Sequence, residues 1–212
     1  MVAILGSGIG PDRAASASIT SNNHIDTIAG STRVLFDGVP APILSAQSSQ
    51  IVAIVPYSVA GKTSAQMRVE YNGQASASMT LPVTDLSPAI FTDQLLGKGS
   101  PLILNADGSR NSATNPAQKG SIITFFATGE GVLSTLPVDG RLATAPLQTP
   151  LQAVTVGVNH AGVQVRFAGA APGFAGIMQV NAQLDANTPS GAQELIVLVG
   201  DKFSPPATVF LQ

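Results

Sequence analysis

Two stretches of this chain carry one pattern, and that repetition limits what it can fold into. Gln50-Ile51-Val52-Ala53-Ile54-Val55-Pro56 returns as Gln179-Val180-Asn181-Ala182-Gln183-Leu184-Asp185. Both copies have the Gln, the Ala three places on and apolar residues at the same alternate positions. Each is followed by a second strand-like run, Ala65-Gln66-Met67-Arg68-Val69-Glu70-Tyr71 and Ala192-Gln193-Glu194-Leu195-Ile196-Val197-Leu198. These runs close on the turns Asn72-Gly73 and Gly200-Asp201. A repeat roughly half the chain long means two similar domains in tandem, not a short-period solenoid.

The chain has 212 residues, enough for two domains of about 100 each. Apolar residues make up 44% but charged residues only 10%, against about 25% in an average globular protein. Ser, Thr, Asn and Gln must therefore clothe the surface, which favours an extracellular module over a cytosolic enzyme. A net charge of −2 leaves no electrostatic footprint for nucleic acid or anionic lipid. No stretch approaches the ~18 apolar residues of a membrane-spanning helix, so membrane insertion is not expected. The start lacks a charged segment followed by an apolar one, so no signal peptide is expected within these residues. With no cysteine, the chain has no disulfides, thiolate metal sites or cysteine nucleophile. Two Tyr and no Trp are also sparse for an aromatic sugar-binding platform.

β-branched residues, period-two alternation and frequent turn residues predict antiparallel strands throughout. The first unit, 1–86, should hold strands at 2–5, 32–37, 42–45, 50–56, 65–71 and 75–83. The last two are joined by Asn72-Gly73, a strong hairpin signal. The second unit, 87–212, should hold strands at 102–105, 121–126, 152–158, 162–168, 176–184, 193–199 and 206–211. Polar surface loops are expected at 12–31 and 132–151, and no helix longer than about two turns. In the link 84–91 Pro88 forces the preceding residue, Ser87, into an extended conformation, and Ile90 and Phe91 are expected to anchor the joint. Two tandem immunoglobulin-like β-sandwich domains in an all-β chain are the fold class this pattern predicts.

Several motifs imitate chemistry. Val2-Ala3-Ile4-Leu5-Gly6-Ser7-Gly8-Ile9-Gly10 resembles a dinucleotide-binding start, but Pro11 stands where the third glycine belongs and no helical pattern follows. Thr128-Gly129-Glu130-Gly131 repeats the same glycines, which marks them as turns. Gly61-Lys62-Thr63 has a phosphate-loop flavour, yet Pro56 replaces the first glycine and a strand pattern follows. His24 and His160 have no partner at metal-ligand spacing, and no strained serine elbow accompanies them. Asn105-Ala106-Asp107-Gly108-Ser109-Arg110-Asn111 alternates oxygen ligands as a calcium loop does, without the closing Glu; an Asp-Gly turn is the expectation. No carboxylate pair suits glycoside hydrolysis. No catalytic, cofactor-binding or metal-ligating residue is assigned.

A wider set of strings resembles one known family. These are Ile4-Leu5-Gly6-Ser7-Gly8-Ile9-Gly10-Pro11, Leu35-Phe36-Asp37-Gly38-Val39-Pro40-Ala41-Pro42, the run from Gln50 through Tyr57 and Ser87-Pro88-Ala89-Ile90-Phe91-Thr92. Asn105-Ala106-Asp107-Gly108-Ser109 with Asn115-Pro116-Ala117, Ala127-Thr128-Gly129-Glu130-Gly131 and Ala168-Gly169-Ala170-Ala171-Pro172-Gly173 complete it. Together they cover nearly the whole chain and resemble the Solibacter-type uncharacterised C-terminal domain family of acidobacterial exported proteins. The resemblance implies tandem Ig-like, IPT/TIG-type units, export and a terminal, non-catalytic role, and it brings no active-site residues. The chain starts inside the family pattern, at the first glycine-ended strand.

The function these readings imply is a non-catalytic structural or interaction module at the C-terminal end of an exported or cell-surface protein. Its partners would be upstream domains of the same polypeptide, or a neighbouring copy, engaged by strand addition. Binding of a polysaccharide by the loops 12–31 and 132–151 is the rival reading. A hydrolase with an unrecognised site comes third. One further expectation concerns the ladder. Val2 aligns with Ile123, so the first unit has no counterpart of the segment around Leu102-Ile103-Leu104-Asn105 and should expose a strand edge.

Overall fold

The computed structural model describes residues 1–135 and 138–212. All its regular structure is β apart from two single 3-10 turns, Tyr57–Val59 and Leu95–Gly97, among the described residues. The chain divides into two immunoglobulin-like β-sandwich units.

The first unit is built from β1 (Val2–Leu5), β2 (Ala15–Ser16), β3 (Thr32–Phe36), β4 (Val39–Pro40), β5 (Ile43–Gln47), β6 (Gln50–Ala53), β7 (Ser64–Tyr71), β8 (Gln74–Ala75) and β9 (Met79–Pro82). One sheet has the order β1-β6-β5-β2; the other runs β4-β3-β7-β8, with β9 also on β7. In β7, Ala65, Met67 and Val69 turn inward while Ser64, Gln66 and Arg68 face water, the alternation a half-buried strand requires. They meet Ile43, Ala46, Ile51 and Ala53 of the facing sheet, with Val34 and Phe36, in one apolar layer. Asn72 and Gly73 both have positive φ, 50° and 77°, the geometry of a type I′ hairpin.

The second unit contains β10 (Ala89–Ile90), β11 (Ile103–Leu104), β12 (Ile122–Thr128), β13 (Val154–Val158), β14 (Ala161–Ala170), β15 (Met178–Gln183), β16 (Gly191–Val199), β17 (Lys202–Phe203) and β18 (Ala207–Leu211). The strand order is β10-β12-β15-β14-β13-β16-β17, with β11 on β12 and β18 on β16. The long β14 serves both layers: Val163 pairs with Val156 of β13, and Ala168 with Val180 of β15. A register shift between Val165 and Phe167 lets it turn the corner. In the first unit two strands, β4 and β5, share this path. Pro40 and Pro42 lie at the break, where proline has no N–H for a continuous ladder. Ile123, Phe125, Val180, Ala182, Leu195, Val197 and Val209 fill the core. A fully buried side chain of the size of Phe125 stabilises by about 1.5–3 kcal/mol.

The internal repeat is structural, pair for pair. Val2 and Ile4 face Ala53 and Ile51; Ile123 and Phe125 face Ala182 and Val180. Each unit also carries a clip that the alternation of apolar residues does not reveal. The expected strand at 75–83 is divided into β8 and β9 at Ser76. There the Ser76 hydroxyl accepts the Val69 N–H at 3.0 Å and donates to the Ala77 carbonyl at 2.9 Å. Ser204 repeats this with the Val197 N–H at 3.0 Å and the Pro205 carbonyl at 3.0 Å. A backbone N–H that the kinked strand would leave unpaired is thereby satisfied.

The unit boundaries differ from the contiguous 1–86 and 87–212 expected. The first unit comprises Met1–Asp85 together with Thr135–Pro146 and Pro172–Gly176; the second takes Leu86–Ser134, Leu147–Ala171 and Ile177–Gln212. Backbone pairing is the reason. The Ile25 N–H donates to the Gly140 carbonyl, the Leu142 N–H to Asn23 and the Ala143 N–H to Phe174. Ile25, Ile54 and Ala175 also form a small apolar cluster with Ala17, Leu44 and Leu142 packed against it. Of the link residues, Ile90 lies in the second unit's core and pairs with Ala127, while the Phe91 N–H donates to the Phe126 carbonyl at 2.9 Å.

Candidate functional site

The glycines that imitate a nucleotide loop are turn residues. Gly8 and Gly129 have φ of 66° and 80°, in the left-handed region where a side chain is strained. A Cβ at Gly129 would also overlap the Ser87 carbonyl and lie 2.9 Å from the Pro88 nitrogen. The Ser87 N–H donates to the Gly129 carbonyl at 3.0 Å, so two backbones touch there. After Pro11 the chain continues to the short strand β2. Lys62 is equally committed: its ammonium donates to the Asp37 carboxylate at 2.8 Å. Asp37 also accepts the Gln66 N–H at 2.7 Å, and these bonds from Lys62 and Gln66 lower its pKa.

The oxygen-rich stretch after β11 closes on itself. The Asp107 carboxylate accepts the Ser109 hydroxyl at 2.6 Å and the Ser109 N–H at 2.9 Å, which holds its pKa below the ordinary value. Asn115 donates to the Ser109 hydroxyl at 2.8 Å and the Arg110 carbonyl at 2.9 Å. Asn111, buried, accepts the Phe210 N–H at 2.8 Å and donates to the Phe210 carbonyl at 2.9 Å. A primary amide suits this role because it offers one acceptor and one donor to the N–H and the C=O of a single residue. Among the described residues, no group of three or more His, Asp or Glu is placed to hold a metal ion.

His24 and His160 belong to different units. His24 sits in the first unit, in a β-bridge with Arg141, its N–H on the Thr20 hydroxyl at 3.3 Å. His160 occupies a turn of the second unit, 82% exposed in its side chain, with Nδ1 3.7 Å from a Glu194 carboxylate oxygen. Glu130 stands out electrostatically. It is only 5% exposed, and burial pushes its carboxyl pKa up, against a smaller lowering by a bond to its own backbone N–H. Its counterpart in the first unit is Ile9.

The long loops are where sequence and structure part most. The loop 12–31 packs in the first unit against 138–146, the described part of Thr135–Pro146 that follows residues 136–137. Besides the bonds from Ile25 and Leu142, the Tyr57 N–H donates to the Asp139 carboxylate at 2.8 Å. Ile19, Ile28 and Val138 remain exposed on these loops. Residues 132–134 and 147–151 stay with the second unit, where Leu133 bridges to Pro150. Residues 136–137 of the expected binding loop lie outside the described residues. Nothing in the spacing of Asp139 or Gly140 marks them as partners of the earlier loop; composition marked the segment only as polar.

No family model matches the chain, and no curated protein does. Among solved structures, the crystal structure of the I9-I11 tandem from titin is similar at 15% identity and a TM-score of 0.25, over 95% of this chain and 61% of that one. Domains 4–9 of the surface layer protein SbsC are similar at 14% identity and a TM-score of 0.24, over 86% of this chain and 22% of that one. The chain spans less than two thirds of either. No helix among the described residues is long and apolar enough to cross a membrane.

Proposed function

We propose that the chain is a non-catalytic structural module of an exported or cell-surface protein, of the kind found in the Solibacter-type C-terminal domains that its sequence resembles. The destination of its polar side chains carries this reading. Asn111, Ser76, Ser204 and the Asp107 carboxylate each engage backbone of their own unit, so groups that could serve chemistry hold turns and strand ends. The low charge, with Ser, Thr, Asn and Gln on the surface, fits exposure outside the cell. Fractionation of the producing cells with an antibody to this chain tests it. The parent protein should appear at the surface or in the medium; a wholly cytosolic parent would overturn the reading.

A second reading, recognition of a polysaccharide by the long loops, is favoured by one observation. Residues 12–31 and 138–146 are knitted into one surface of the first unit by Asn23, Ile25, Tyr57, Asp139 and Leu142. Affinity electrophoresis through plant and microbial polysaccharides tests it. Retardation by one polymer, lost when both loops are shortened, would establish it; unchanged mobility in every gel would remove it.

A further inference from the structure

The two units share one scaffold, but the strand position that β10 and β11 fill in the second has no ladder partner in the first among the described residues. In the second unit β12 has partners on both sides: β15 on one, β10 and β11 on the other. The β11 residue Ile103, 1% exposed, pairs with Phe125, and Ile123 and Phe125 are both fully buried. Their counterparts Val2 and Ile4 point into the first core from β1 yet are only half-buried. β1 ends its sheet, with β6 as its ladder partner among the described residues. Leu5, next along, is 61% exposed.

Sheet edges are ordinarily protected by charge, proline or a covering segment. β1 reads Val-Ala-Ile-Leu and carries neither charge nor proline. The other place where the second unit's covering segment docks is different. There Asn111 clamps the Phe210 N–H and carbonyl on β18, but the residue at that position of β9 is Pro82, which has no N–H to offer. The opening is therefore confined to β1.

We propose that the edge of β1 is a strand-acceptor site. Its occupant is an extended, uncharged segment of the chemistry of Leu102-Ile103-Leu104-Asn105, antiparallel to β1, with an isoleucine-sized side chain opposite Ile4. Main-chain hydrogen bonds would supply the affinity, and the apolar side chain completing the cover over Val2 and Ile4 the selectivity. This goes beyond the function proposed above and does not depend on whether the long loops bind a glycan.

The test uses the 212-residue chain and a synthetic peptide of residues 100–118. Two control peptides carry backbone N-methyl groups on alternate residues of the strand, in opposite phase. Binding is followed by titration, and amide hydrogen exchange reports its location. The expected result is saturable binding that slows exchange at least tenfold in β1, abolished by one N-methyl phase and retained by the other. Three results would each overturn the proposal: no binding; binding that protects β12 but leaves β1 unchanged; or equal binding by both N-methyl peptides. Concentration-dependent dimerisation that protects β1 and excludes the peptide would also overturn it, because the occupant would then be a second copy.

Discussion

Replacing Gly8 and Gly129 by alanine separates two physical reasons for keeping glycine in a turn. Both have positive φ, so alanine at either site meets the left-handed penalty, about 1–2 kcal/mol. At Gly8 a Cβ would have nothing within 4 Å, so the cost should stop there. At Gly129 the same Cβ would overlap the Ser87 carbonyl, and the link must move to admit it. Overpacking of that kind costs about 1–3 kcal/mol, and loss of the Ser87 to Gly129 hydrogen bond about another 1 kcal/mol. Gly129→Ala should therefore destabilise by about 3–6 kcal/mol and Gly8→Ala by about 1–2 kcal/mol. In a domain of about 100 residues each kcal/mol lowers Tm by about 4–8 °C. Circular dichroism melts give the total, and regional hydrogen exchange assigns the loss to β6 or to β12. Asparagine tolerates positive φ but adds the same Cβ. Gly8→Asn should then recover most of the stability, and Gly129→Asn should not. Equal losses in the two alanine variants, or rescue of both sites by asparagine, would refute the reasoning.

Three other outcomes follow from the hydrogen bonds and the buried acid. Ser204→Ala strands the buried Val197 N–H and should cost about 1–3 kcal/mol in urea unfolding; Ser76→Ala, at a less buried clip, should cost less. Asn111→Ala removes both bonds to the Phe210 backbone and should free exchange at the Phe210 amide, whereas Asn111→Asp keeps the acceptor and should leave that amide better protected. Glu130 has a folded-state pKa raised above its ordinary 4.5 by burial. Its protonated form is favoured on folding, so its contribution is full below that value and is lost as pH rises through the folded pKa. Glu130→Gln should accordingly raise Tm at neutral pH, with the gain shrinking toward pH 4; a gain independent of pH would point to packing instead.

The all-β class, the tandem and the organising strands were legible in the residues because each rests on local pattern. Gln50–Ala53 and Met178–Gln183 bury alternate residues whatever surrounds them, and Asn72-Gly73 sets its own hairpin. The positive φ of Gly8 and Gly129 was readable because the repeat keeps glycine while its neighbours vary. What only the tertiary structure decided depends on groups distant in the chain. Asn111 and Phe210 meet through a backbone pairing that leaves no periodic trace, and the serine clips sit where a strand pattern would have run on unbroken. The exchange of 135–146 and 172–176 into the first unit likewise comes from carbonyls and amides, which every residue type carries alike. Alternation of side chains encodes which face of a strand is buried; it does not encode which distant backbone satisfies a loop.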